Sequence, residues 1–130
     1  MGEITPYMCV ADTRAAMDWY GAVLGATVAV DPIVMDDGRV GHAELSFDGA
    51  RVMLSDEFPE VDVAPPAAGR GSAVTLHLAV DDVDEAAGRV TAAGVTLDRG
   101  PEDTGVGRVA VFRDPFGHRW FLNQEHAGTP

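Results

Sequence analysis

Val10-Ala11-Asp12, leading into a helix-like run that closes at Gly25-Ala26-Thr27-Val28, has a second version in Val80-Asp81-Asp82, whose run closes at Gly94-Val95-Thr96-Leu97. The offset is 70 residues between Asp12 and Asp82 and 69 between Gly25 and Gly94, so the second helix is one residue shorter. A unit of this length present twice argues against a solenoid and for two small modules that share an interface.

Working outward, Ile4 to Val10 reads as a strand, and Asp12 caps a helix with Ala15, Ala16, Trp19, Tyr20 and Val23 on its apolar stripe. Strands are predicted from Ala26 to Met35, Val40 to Phe47 and Ala50 to Asp56, turning at Asp36-Asp37-Gly38 and at Asp48-Gly49. The second module repeats the order. A strand from Ala73 to Val80 precedes a helix with Asp82 and Glu85 at capping-box spacing and Val83, Ala86, Ala87, Val90 and Ala93 as its stripe. Strands at Val95 to Arg99, Arg108 to Arg113 and His118 to Asn123 complete it, with a loop over Gly100 to Gly107 and a turn at Asp114-Pro115-Phe116-Gly117. The predicted organisation is a first βαβββ module over 1–57, a linker over 58–72 rich in Pro and Gly, a second module over 73–124 and a frayed tail over 125–130.

Strand alternation sorts the side chains by face. A two-residue turn at Asp48-Gly49 pairs Phe47 with Ala50, Ser46 with Arg51, Glu44 with Met53 and His42 with Ser55. One face then carries His42, Glu44, Ser46, Arg51, Met53 and Ser55, while Ala43, Leu45, Val52 and Leu54 lie under the helix. The same rule puts Trp120 and Leu122 beneath the second helix and leaves Arg119, Phe121 and Asn123 opposite. Sheets covered by helices on one side and mixed polar on the other are expected to curve around a small-molecule cleft.

The chain carries 21 acidic residues against nine basic ones, all arginine, for a net charge of −12, with 46% hydrophobic residues and one cysteine, Cys9. Such a field opposes binding to nucleic acid or to an anionic membrane and attracts cations, although the same acidity also serves solubility. No apolar run approaches a membrane span and the start lacks the basic character of a signal peptide, so a cytoplasmic protein is expected. Cys9 has no basic neighbour in sequence and reads as a buried, inert thiol.

The duplicated unit, together with Arg113-Asp114-Pro115-Phe116-Gly117-His118-Arg119-Trp120 and His77-Leu78-Ala79-Val80-Asp81-Asp82, resembles the vicinal oxygen chelate superfamily of glyoxalases, dioxygenases and bleomycin-resistance proteins. The resemblance implies an α+β fold of two βαβββ modules whose curved mixed sheets surround a cleft. It also implies a divalent metal held by His, Glu or Gln on the first and last strands of each copy. Those positions fall on Thr5, Met53, Thr75 and Phe121, and a thioether, a phenyl ring and two neutral hydroxyls do not supply the donors such an ion requires. The resemblance therefore leans to the members that bind antibiotics without metal or cofactor, in clefts that dimers often complete.

On this reading the chain is a homodimer that sequesters a small hydrophobic or aromatic ligand, cationic if charge steers it. Thr5, Tyr7, His42, Glu44, Arg51, Met53, Thr75, His77, Phe121 and Asn123 are its expected contacts, with no catalytic residue. Two alternatives stay open. One is an enzyme, either a lyase or isomerase with a displaced metal on His42, Glu44 and His77, or a metal-free one with His42 or Glu44 as general acid or base. The other is an accessory module of a biosynthetic or regulatory assembly.

Overall fold

The computed structural model describes residues 2–125. The expected tail lies, apart from Glu125, outside the described residues. The chain divides into two compact units between Pro66 and Ala67.

In the first unit, β1 (Tyr7–Cys9), α1 (Thr13–Leu24), β2 (Thr27–Val34), β3 (Val40–Phe47) and β4 (Ala50–Ser55) form a four-stranded sheet of order β1-β4-β3-β2, with α1 on one face. β1 and β4 are parallel and the other pairs antiparallel. The β3–β4 register is the expected one, with Phe47 opposite Ala50, Ser46 opposite Arg51 and Glu44 opposite Met53. Asp48 (φ 53°) and Gly49 (φ 96°) both adopt positive φ, as a two-residue hairpin turn of this twist demands. Ala43, Leu45, Val52 and Leu54 are buried beneath α1, where Tyr20 meets Phe47 edge to face at 6.2 Å.

α1 starts at Asp12, whose side chain accepts from the Ala15 amide at 3.1 Å, and ends at left-handed Gly25. Its buried face is Thr13, Ala16, Met17, Tyr20 and Val23. Ala15 is exposed and Trp19 only half-buried, a rotation of the expected stripe. The cause is Thr13, whose amide and hydroxyl both donate to Asp56 Oδ1, at 2.9 and 2.7 Å, and so turn the first helical residue inward. Asp56 Oδ2 also accepts from the Val40 amide at 2.8 Å, joining helix, β3 and the end of β4. Burial alone would raise the Asp56 pKa, but the hydrogen bonds from Thr13 and Val40 outweigh it and hold the carboxyl below the usual aspartate value.

Two first-unit expectations are corrected. β1 is confined to Tyr7–Cys9 rather than running from Ile4 to Val10, because Pro6 cannot donate to a ladder, although its carbonyl still accepts from the Met53 amide at 2.9 Å. The segment after β4 was expected to carry no regular structure, yet Pro59–Val61 form a 3-10 turn and Phe58 and Val63 exchange backbone hydrogen bonds at 2.9 and 3.1 Å.

The second unit holds β5 (Thr75–Ala79), α2 (Val83–Ala92), β6 (Leu97–Thr104), β7 (Gly107–Arg113) and β8 (Arg119–Gln124), in sheet order β5-β8-β7-β6. Asp82 caps α2 through the Glu85 amide at 3.1 Å, and Val83, Ala86, Ala87 and Val90 are buried against the sheet, while Ala93 is exposed at the helix end. β6 continues through Gly100-Pro101 to Thr104, where a loop was expected. As an edge strand it tolerates proline, with register shifts on either side of Arg99. Gly100 has φ 75°, and a Cβ there would lie 2.2 Å from the Val109 carbonyl oxygen, so only glycine fits. The Asp114–Gly117 turn closes around Asp114, which accepts from the amides of Phe116 (2.8 Å) and His118 (3.0 Å) and from the Trp120 indole (2.8 Å).

The duplication extends to individual hydrogen bonds. The Val10 amide donates to the Ser55 carbonyl at 3.0 Å and the Val80 amide to the Asn123 carbonyl at 2.9 Å. Thr13 N–H meets the Asp56 side chain, and Val83 N–H meets Gln124 Oε1, each at 2.9 Å. Tyr7 stands beside Met53 as His77 stands beside Phe121. These pairs make Met53 and Phe121 equivalent positions, one residue before Leu54 and Leu122. No helix among the described residues is long and apolar enough to cross a membrane.

Candidate functional site

On the face of the first sheet opposite α1, four polar side chains from three strands form one hydrogen-bonded series. The Tyr7 hydroxyl lies 2.8 Å from His42 Nδ1 and 3.0 Å from the Gly41 carbonyl. His42 Nε2 lies 2.8 Å from Glu44 Oε2, and Arg51 Nη1 donates to Glu44 Oε1 at 2.8 Å. Strand alternation puts His42 and Glu44 on one face, the β3–β4 register brings Arg51 within reach, and the parallel β1–β4 pairing delivers Tyr7. The Tyr7 and His42 rings meet edge to face at 5.3 Å. His42 and then Arg51 hold the Glu44 carboxyl below the usual glutamate value, whereas burial and then the Glu44 charge raise the Tyr7 phenol and keep it neutral.

Beside this series opens a cavity of about 520 Å3. Tyr7, His42, Cys9 and Ser55 form its sheet side. Ile33 and Met35 close one flank, and Phe58, Val61 and Val63 of the turn after β4 form the rest of the wall. Its lining is mostly aromatic, aliphatic and thioether surface with a few polar groups at one edge, the mixture a small-molecule site needs. Cys9 is buried, and burial, then Glu57 and Asp56, raise its pKa, so it is a thiol rather than a nucleophilic thiolate.

The Phe58–Val63 wall is pinned by Arg39. Its guanidinium donates to Glu60 Oε1 and Oε2 at 3.0 and 2.6 Å, to Asp37 Oδ2 at 2.8 Å and to the Glu57 carbonyl at 3.0 Å. It also stands 4.0 Å from the centre of the Phe58 ring. Arg39 holds the Glu60 carboxyl down to about 2.

Of the residues singled out in the sequence, Tyr7 and His42 line the cavity. Glu44 and Arg51 brace His42 from behind, Met53 stands beside Tyr7 on β4, and Thr5 precedes β1. In the second unit Thr75 Oγ1 accepts from Arg119 at 2.7 Å, and His77 stacks on Phe121 with centroids 5.6 Å apart and planes 18° from parallel. Asn123 is buried there, its Oδ1 without a hydrogen-bond partner among the described residues. Phe58, Val61 and Val63 were hidden by the prolines around them, though three hydrophobic residues in a breaker-rich stretch were a usable signal.

The donor set does not fit the divalent ion of the resembled enzymes. Thr5 and Met53 in the first unit, and Thr75 and Phe121 in the second, offer no imidazole, carboxylate or thiolate. His42 and Glu44, the nearest candidates by chemistry, turn their donor atoms on each other, on Tyr7 and on Arg51. Among the described residues no three His, Cys, Asp or Glu side chains are grouped to hold an ion.

Comparison with known proteins gives the family and its neighbourhood. The sequence model of the Glyoxalase/Bleomycin resistance protein/Dioxygenase superfamily matches residues 2–122. Mb0911c, an uncharacterized protein of Mycobacterium bovis, is 37% identical over 93% of this chain and 82% of its own length. DnrV, an anthracycline biosynthesis protein of Streptomyces peucetius, is 31% identical over 82% of this chain but only 40% of its own length. Among solved structures, TnmS3, an antibiotic binding protein from Streptomyces sp. CB03234, matches with a TM-score of 0.69 and 31% identity over 97% of this chain and 98% of its own.

Proposed function

The chain belongs to the glyoxalase/bleomycin resistance/dioxygenase superfamily, and from that premise we propose that it binds a small hydrophobic or aromatic natural product, such as an antibiotic, and holds it unchanged. The observation that carries this reading is the first-unit cavity, which has the size and apolar lining of a ligand site and the Tyr7–His42 edge to orient a guest. The antibiotic binding of TnmS3 and the anthracycline connection of DnrV support the ligand class. Tyr7 and His42 contact the ligand, Glu44 and Arg51 fix His42, and Thr5 and Met53 extend the surface along β1 and β4. On the second unit's own sheet, Thr75, His77, Phe121 and Asn123 are kept as a separate candidate surface, with the His77–Phe121 stack as its aromatic part. A homodimer acting by sequestration completes the proposal, and it requires protein in rough stoichiometry with its ligand.

A panel of aromatic antibiotics that includes an anthracycline, titrated into the chain by calorimetry in EDTA, tests this. Saturable binding with Kd at or below about 1 μM, or about 8 kcal/mol, is expected, with the ligand recovered at unchanged mass. Loss of binding in chelator, or no saturation by any member, would count against it.

A second reading keeps an enzyme. The order Tyr7, His42, Glu44 resembles a general-base relay in which a carboxylate orients an imidazole, and it needs no metal. Steady conversion of the bound compound, abolished by His42→Gln, would favour it over holding alone.

A further inference from the structure

We infer that the first-unit cavity selects an aromatic ligand that presents a hydrogen-bond donor, a phenolic hydroxyl or an ammonium group, and discriminates against one that presents a carboxylate. The inference rests on the binding reading above and specifies the chemistry of its ligand.

Each protic side chain at the cavity already directs its proton at a protein acceptor. Ser55 Oγ donates to the Asp56 carbonyl at 3.0 Å, and Cys9 Sγ points at the same oxygen at 3.6 Å, within reach for sulfur. A carboxylate only accepts, so His42 Nε2 facing Glu44 Oε2 carries a hydrogen. That leaves two states for the other ring nitrogen. With His42 neutral, Nδ1 accepts the Tyr7 proton. With His42 protonated, Nδ1 donates to the Tyr7 oxygen, whose own proton turns to the Gly41 carbonyl at 3.0 Å. In both states the Tyr7 proton stays inside the protein and its oxygen keeps a lone pair for a guest.

The backbone of the wall follows suit. The amides of Phe58, Val61 and Val63 are engaged within the turn itself, at 2.9, 3.0 and 3.1 Å, and the Met35 amide reaches the Arg39 carbonyl at 2.8 Å. A ligand acceptor facing these groups would leave water without a replacement donor from them, whereas a ligand donor meets Tyr7 Oη. Charge acts in the same direction, since the chain carries −12 and Glu44 stands behind His42. Arg51, the permanent cation of the polar series, is tied to Glu44 and does not line the cavity.

Four probes on one ring system separate these terms: 2-naphthol, 2-(aminomethyl)naphthalene, 2-methoxynaphthalene and 2-naphthoate, each titrated into the full chain at neutral pH. Naphthol and the ammonium probe should bind at least about tenfold more tightly than methoxynaphthalene, which is about 1.4 kcal/mol, with naphthoate weakest. In Tyr7→Phe the ratio between naphthol and methoxynaphthalene should fall to within about twofold. Methoxynaphthalene or naphthoate binding as tightly as naphthol to the wild type overturns the donor rule while leaving an aromatic-binding protein, and that outcome does not depend on any variant folding. Saturation by none of the four overturns both this inference and the binding proposal.

Discussion

Asp56→Ala is expected to remove a large share of the stability of the chain. The carboxylate accepts from Thr13 N, Thr13 Oγ1 and Val40 N at 2.9, 2.7 and 2.8 Å, and Thr13 and Val40 are 0% and 3% exposed. Alanine leaves three donors behind, two of them on a fully buried threonine. Each buried group left unpaired costs about 1–3 kcal/mol, and water reaching the half-buried side of Asp56 offsets part, so the loss is about 4 kcal/mol. At roughly 3–5 °C per kcal/mol for a chain of this length, the midpoint should fall by about 12–20 °C. Asp56→Asn keeps the Thr13 acceptor but sets an amide NH2 against the Val40 N–H, for about 2 kcal/mol. The Asp56 carboxyl titrates below its ordinary value in the fold, so its contribution is complete above the unfolded pKa of about 3.9 and is lost as pH falls through the lower folded value. Thermal and urea unfolding of wild type and both variants, at pH 7 and then stepwise to pH 2, provide the assay. An alanine variant within about 3 °C of wild type would refute the keystone role. So would a gap between wild type and Asp56→Asn that stays constant to pH 2.

Two further substitutions probe the turn and the cavity wall. Asp114→Ala strips the acceptor from the buried Trp120 indole and from two turn amides, and should cost about 3 kcal/mol with a red shift in tryptophan emission, read by fluorescence-monitored unfolding. Arg39→Met should leave the global unfolding midpoint almost unchanged while raising amide exchange over Phe58–Val63 and weakening aromatic ligands, measured by hydrogen exchange and titration.

The parts of the fold that were legible in sequence were those fixed by local chemistry. Asp12 and Asp82 announced their helices, Asp48-Gly49 set the β3–β4 register, and alternation along β3 and β4 then placed His42, Glu44 and Arg51 on one face. What escaped depended on partners distant in sequence. On α1 the buried face takes Thr13 and Met17 in place of Ala15 and Trp19, because Asp56, 43 residues from Thr13, draws that residue inward. β6 was cut short at Gly100-Pro101 because propensity weighs proline without knowing that the strand is an edge. The cavity wall went unseen because Phe58, Val61 and Val63 only become a surface once Arg39, from the β2–β3 connection, holds the segment back. The contacts expected from strand alternation and from the resemblance were largely on the sheets, while much of the cavity lining comes from outside them.

Each sheet is sealed by its own first and last strands, Tyr7 against Met53 and Thr75 against Arg119. Bringing such ends together closes a loop of more than forty residues, at an entropic cost of about 3 kcal/mol, whereas the β3–β4 and β7–β8 hairpins assemble locally. Contact order therefore places the parallel seam late in folding, with the β4 and β8 edges open until it forms. A nascent chain would be most prone to mispairing in that interval, because the six-residue β4 offers a stray strand a longer ladder than the three residues of β1 that finally cover it.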